Sequence, residues 1–372
     1  MANTVSIDAL RPELWQKMLY ADVMDKMYFT QNGMMGSDVN NIIQTKDELK
    51  KSKGDAITFG LGMKLSGDGI VGDAEKEGHE EALVSYSQSV GIDMISNPVR
   101  LTGLLDEQKV SYDMRQEAKS KQSIWMQEFI ERQIFLKLGG VTTTSLADVS
   151  GATVTARATW SNSPNIVPAA DENAGKGTRY VCSDAAGLTS LQATDILTPA
   201  LIGRAKVLAQ TANPRIRPLR IKGKDYYVMF IHPWQAYDLK HASSSVWAQA
   251  QREAQMRGSD NPIFTGALGV YDGVILHEHE YVPACSGNAS RAFSAAGTAV
   301  ANGVWAFRAL LCGQQAGVMA QTANSMRTNE KLFEYNTQWG IMTYMIGGIQ
   351  KTAFNSLDYG VISVDTSATD LG

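Results

Sequence analysis

The stretch Val274 to Cys285, VILHEHEYVPAC, gathers two histidines, two glutamates and a cysteine. Side chains alternate along a strand, so His277 and His279 would share one face and Glu278 and Glu280 the other. Two imidazoles on one face can chelate a first-row metal, which would make the chain a metal-dependent enzyme. Such a centre needs further ligands, commonly a carboxylate a few residues on and a later histidine. After Glu280 the next acidic residue is Glu330, and no histidine follows at all. His79, His232 and His241 belong to other segments. The competing reading is a strand whose polar face meets solvent or another subunit, with no metal and no catalytic residue.

Other chemistry is sparser still. Ala174–Thr178, AGKGT, resembles part of a phosphate loop, but Ala170 stands where the first glycine belongs and Gly177 follows Lys176. No Gly-x-Ser-x-Gly elbow precedes a helix, and no dinucleotide-binding glycine pattern joins a strand to a helix. The three cysteines, Cys182, Cys285 and Cys312, form neither a disulfide framework nor a zinc spacing. They read as buried structural thiols of a protein folded in a reducing cytosol. No cofactor is expected. The densest basic segment is Arg215–Lys224, RIRPLRIKGK, which suits plain surface or a contact with nucleic acid or an acidic neighbour.

Composition narrows the class further. The chain has 372 residues, 44 % of them hydrophobic, and a formal net charge of −4. That is enough apolar material for a large core, and the charge argues against a surface that grips nucleic acid all over. The N-terminal residues lack the apolar run of a secretory signal. No segment approaches the ~20 apolar residues of a membrane span, so no membrane partner is expected.

The elements follow from periodicity. Residues 9–29 have helical spacing. Ile57, Phe59, Leu61 and Met63 alternate with polar residues, and so do Val84, Tyr86, Val90 and Ile92, with a glycine-rich charged tip between. These make a long hairpin, which is marginal alone and needs a surface to lie on. Ile57, Phe59, Val84 and Tyr86 are the residues expected to meet a neighbouring subunit. Residues 105–138 read as one long rod ended by Gly139-Gly140. Its first half is charged almost all round, and its second half is expected to be anchored in the core by Trp125 and Phe129. Residues 141–193 show little periodicity. A helix is expected from Asp195 to Ala212, a hairpin turning at Lys222–Lys224, a helix opened by Pro233, another over 243–258, and a largely β tail from Phe333 to Thr366. The class is α+β, without a doubly wound series.

Four stretches carry a family likeness: residues 54–83, GDAITFGLGMKLSGDGIVGDAEKEGHEEAL; 261–283, NPIFTGALGVYDGVILHEHEYVP; 307–317, FRALLCGQQAG; and 351–366, KTAFNSLDYGVISVDT. In content and order they resemble the major capsid proteins of tailed phages of the N-four type. The resemblance implies the Hong Kong ninety-seven capsid fold: an N-terminal arm, an extended β-hairpin loop, a long spine helix, and peripheral and axial domains. It places the arm at 1–54, the extended loop at 55–100, the spine helix and part of the peripheral domain with an insertion at 101–194, the axial domain at 195–300, and C-terminal strands returning to the periphery at 301–372. It further implies a structural, non-enzymatic subunit of an icosahedral virion shell that encloses double-stranded DNA, built as hexamers and pentamers of itself and assembled in the host bacterial cytoplasm. A separate scaffolding protein, a portal and a decoration protein are the other partners it suggests. The HEHE stretch is then a structural strand. An encapsulin-like compartment shell is the alternative that shares the fold.

Overall fold

In the computed structural model of the chain, the residues described are 23–48, 54–62, 65, 67, 69–72, 76–141, 176–221, 223–241, 268–285, 293, 303–335, 337–355 and 357–369. The expected helix over 243–258, most of the helix over 9–29 and most of residues 141–193 lie outside them. In chain order the main elements are α1 (Tyr28–Gln31), β1 (Met35–Gly36), β2 (Ile43–Lys46), β3 (Ala56–Gly62), β4 (Ser85–Gly91), β5 (Asp93–Arg100), α2 (Leu104–Lys109), α3 (Met114–Leu138) and β6 (Tyr180–Cys182). Then come α4 (Pro199–Thr211), β7 (Leu219–Ile221), β8 (Lys224–Ile231), α5 (Pro233–His241), β9 (Gly269–Tyr271), β10 (Val274–Glu278) and β11 (Ala284–Cys285). The chain ends with β12 (Ala306–Cys312), β13 (Gly317–Phe333), β14 (Gln338–Lys351), β15 (Ala353–Phe354), β16 (Leu357–Asp358) and β17 (Val361–Ser367).

Two sheets organise these elements. One runs β6-β17-β12-β8-β10-β9, with β11 beside β12 and β7 beside β8; the other runs β1-β2-β13-β14-β5. The strands β8 and β12 are nearly continuous apolar runs because both faces of their sheet are covered. One face carries Tyr227, Met229, Ile231, Ala309 and Leu311 against Ile202, Ala205 and Ala209 of α4 and Leu239 of α5. The opposite face carries Val228, Phe230, Leu310 and Cys312 against Phe129, Ile130, Ile134 and Phe135 of α3. Met319, Met345 and Ile349 of the second sheet join that same core, as do Val23, Met27 and Phe29 of the N-terminal arm. The helix α3 is therefore the beam between the two sheets.

The expected rod is interrupted. It breaks at Val110–Asp113 into α2 and α3, because the Asp113 carboxylate accepts from the Arg115 and Gln116 N–H groups and caps a new helix start. Its 25 residues span roughly 37 Å. The buried face also differs from expectation. Phe129 is in the core, but Trp125 is only half-buried, packed at the rim and stacked on Phe129 at 5.5 Å. Met126, Ile130 and Ile134 hold the central positions, all fully buried. The first half is tethered by charge: Arg115 and Lys119 both pair with Glu330 of β13.

The C-terminal segment is shared between sheets. Strands β13 and β14 join β5, whereas β12 and β17 pair with each other and β12 with β8. The boundary drawn at residue 300 thus separates strands of one sheet. The turn between β7 and β8 is the expected one: Ile221 faces Lys224, and Gly223 takes the left-handed backbone (φ 80°) that a two-residue turn demands.

Candidate functional site: a buried histidine pair and a projecting hairpin

The two histidines of the HEHE stretch lie at the end of β10 beneath the arm and α3, whereas Glu278 and Glu280 are exposed. Strand β10 runs parallel to β8, and His279 N–H extends the pairing to Ile231 O. His277 and His279 do share a face, but it is neither solvated nor open to a neighbour. His277 Nδ1 meets the Tyr28 hydroxyl at 2.7 Å. The His279 ring lies 4.5 Å from the Phe135 ring and 4.7 Å from that of Tyr28. Burial pushes both imidazoles down to about 4, so they are neutral at pH 7. Glu131 of α3 closes the cage. Its Oε1 accepts the Tyr28 N–H at 2.7 Å, and its Oε2 is 4.0 Å from His279 Nε2. Burial raises the Glu131 carboxyl above the usual carboxylate range.

This arrangement clamps the arm rather than an ion. Phe29 packs on Phe135 and Phe230, while Gln127 Nε2 donates to Lys26 O. Among the described residues, no three His, Cys, Asp or Glu side chains are placed to hold a metal. The three thiols are buried, and burial pushes Cys182 and Cys312 up to about 12. No helix among the described residues is long and apolar enough to cross a membrane.

A second buried polar group ties α3 to the large sheet. Arg308 of β12 makes a two-pronged bond to Asp365 of β17, Nε to Oδ1 at 2.8 Å and Nη2 to Oδ2 at 2.7 Å. Arg308 Nη1 donates to Gly139 O at the end of α3, and Tyr180 O–H donates to Asp365 Oδ2. The guanidinium also lies 4.2 Å from the centre of the Phe293 ring. One signal could have exposed this pair in advance: a lone charge in each of two otherwise uncharged strand segments, AFRALLC and VISVDTS.

The hairpin β3–β4 stands apart as its own two-stranded sheet. Ile57 faces Val90, Phe59 faces Gln88, and Leu61 faces Tyr86. Of the four residues expected to meet a neighbour, Ile57 is enclosed by its own chain, packed with Val90 against Val318 and Ala320 of β13. Phe59 is half-buried and touches Phe354 edge-on. The apolar alternation at the hairpin root is thus used within the subunit. Tyr86 is half-buried and Val84 exposed. Beyond the root, Leu65, Ile70, Val71 and Leu83 are exposed, Val71 at 91 % and Leu83 at 75 %. Arg215, Arg217, Arg220 and Lys224 of the basic segment are exposed, with Arg220 beside Asp225.

Two sheets, a helical beam between them and a projecting hairpin define the Hong Kong ninety-seven class of capsid fold. The chain superimposes on the capsid protein of Ralstonia phage GP4 with a TM-score of 0.75 and 26 % identity, covering 100 % of this chain and 95 % of that one. It superimposes on a chain of the cyanophage Pam1 capsid with a TM-score of 0.69 and 23 % identity, covering 99 % and 100 %. In sequence it is 30 % identical over 355 residues to the major capsid protein of Pseudomonas phage KPP25, covering 91 % of this chain and 90 % of that one. The phage capsid protein family matches residues 3–370, and the chain belongs to that family. It is a structural shell subunit that associates with copies of itself, and it is not an enzyme. Neither the metal-enzyme nor the encapsulin reading has support.

Proposed function

We propose that the chain is the major subunit of a tailed-phage head, forming hexamers and pentamers of an icosahedral shell around packaged double-stranded DNA. The observation that carries this reading is the hairpin beyond its root. Val71 and Leu83 offer apolar surface to solvent on an arm that the subunit itself does not cover. Large exposed apolar groups on a projection mark a protein contact. In a shell, each hairpin lies over a neighbouring copy, and Val84 and Tyr86 belong to that contact.

In this reading the five-stranded sheet with α3 is the peripheral part. The large sheet with α4 and α5 is the axial part, including β12 and β17. The arm 1–54 and the extended loop 55–100 keep their expected roles except where β1, β2 and β5 join the five-stranded sheet, so the loop itself is the β3–β4 hairpin. Assembly takes place in the host cytoplasm with a separate scaffolding protein, and portal and decoration proteins bind the finished shell. Packaged DNA faces the inner surface. The test is to delete Gly67–Gly78. The expected result is a soluble, folded subunit that yields few particles; normal particles from the deletion would refute the proposal.

A further inference from the structure

The hairpin is useful to a shell only if it leaves the subunit in one direction. Among the described residues its root meets the body at a small set of positions. Ile57 and Val90 rest on Val318 and Ala320, and the backbone of Gly91 crosses that of Gly348 so closely that a methyl on Gly348 would overlap the Gly91 carbonyl oxygen. Contacts of this kind fix a pivot but leave rotation about it weakly determined.

One side chain supplies the missing restraint. Gln88 of β4 reaches the corner between β14 and β15. Its Nε2 donates to Lys351 O at 2.9 Å, and its Oε1 accepts the Ala353 N–H at 2.8 Å. An amide carries a donor and an acceptor in one plane, so it can fill the pair of backbone groups that a neighbouring strand would otherwise occupy. The corner is itself held rigidly. Thr352 N–H donates to Ala316 O, Tyr359 N–H donates to Thr352 O, and Ala353 pairs with Asp358. Phe59, directly opposite Gln88 in the hairpin, packs on Phe354 of the same corner. The hairpin thus has a pivot at Gly91 and a two-point clasp three residues away.

We infer that Gln88 is a positioning residue for assembly: its side-chain amide acts as a surrogate strand that sets the direction in which the hairpin projects. The inference rests on the proposed reading that the hairpin lies over a neighbouring copy. Gln88→Met keeps the length and volume of the side chain and removes both hydrogen bonds. Losing two such bonds lowers the ratio of native to other hairpin directions roughly tenfold or more.

The test compares wild type, Gln88→Met and the Gly67–Gly78 deletion. Spin labels at Val71→Cys and Tyr335→Cys, both highly exposed positions, report hairpin direction in the unassembled wild-type and Gln88→Met subunits. Hydrogen exchange reports the Ala353 amide, and electron microscopy reports particle yield. For Gln88→Met the expected results are a broadened label distance, lost protection at Ala353, and particle yield down about tenfold. The thermal midpoint of the subunit should stay within about 4 °C of wild type. An unchanged distance distribution, wild-type particle yield, or a midpoint lowered by more than about 10 °C would overturn the inference, the last by making Gln88 a general stability element. Normal particles from the deletion overturn the underlying reading instead. Normal particles from Gln88→Met with failure of the deletion overturn the clasp alone.

Discussion

Asp365→Asn should be among the most damaging single changes in the subunit, although it alters few atoms. Arg308 and Asp365 are both fully buried, and the carboxylate takes two bonds from the guanidinium and one from Tyr180. Removing the negative charge leaves a cation in a dry interior, which costs about 3–5 kcal/mol. A domain is stable by only about 5–15 kcal/mol, so a large part of the margin is lost. The double change Arg308→Met with Asp365→Leu removes both charges. What remains unsatisfied is the Tyr180 hydroxyl and the Gly139 carbonyl, each costing about 1–3 kcal/mol. The double variant should therefore be about as stable as Arg308→Met alone or Asp365→Leu alone rather than worse by their sum. Urea unfolding of the unassembled subunit measures all four corners of the cycle. Additive losses, or an Asp365→Asn loss below about 1 kcal/mol, would refute the claim that this pair acts as a coupled buried unit.

Three further outcomes follow from other parts of the fold. Phe129→Ala should cost about 3–5 kcal/mol in subunit unfolding, and half-exposed Trp125→Ala clearly less; the reverse order would place the core on the wrong face of α3. His277 and His279 have folded values lowered to about 4 from 6.5, so the unfolded chain binds more protons between those values. Subunit stability should therefore be full above about pH 6.5 and fall as pH drops toward 4. Replacing both histidines by glutamine should lessen that fall, with buried His232, likewise pushed down to about 4, carrying part of the remainder; an unchanged slope would show that other groups carry it. Gly348→Ala should cost about 1–3 kcal/mol by forcing the β14 backbone away from Gly91, and a neutral result would mean the crossing is looser than described.

Much of this was legible in advance, and the failures share a cause. The hairpin 55–95, the turn at Lys222-Gly223 and the Gly139 stop follow from local patterns, and local geometry decides them. The face of α3 does not. Gln122, Glu131 and Gln133 are buried beside Met126 and Ile130, so polarity does not mark the solvent side. Gln122, for one, is paid for by bonds to Asn97 O, Ile341 O and Thr343, contacts formed with distant strands. The same holds for His277, whose partner Tyr28 lies 249 residues earlier. Periodicity records which side chains are apolar, not which polar ones find buried partners. The break at Asp113 was readable as a cap, but the charged flanks resemble a continuous solvated helix. Strand β12 shows no alternation because both its faces are covered.

The central claim is that this chain exists to build a closed shell from copies of itself. The most direct measurement is an electron micrograph of the purified full-length protein at high concentration. Closed isometric shells of megadalton mass are expected, with this chain as their main component. Isolated subunits or small discrete oligomers at every concentration, with and without a scaffolding protein, would contradict the claim.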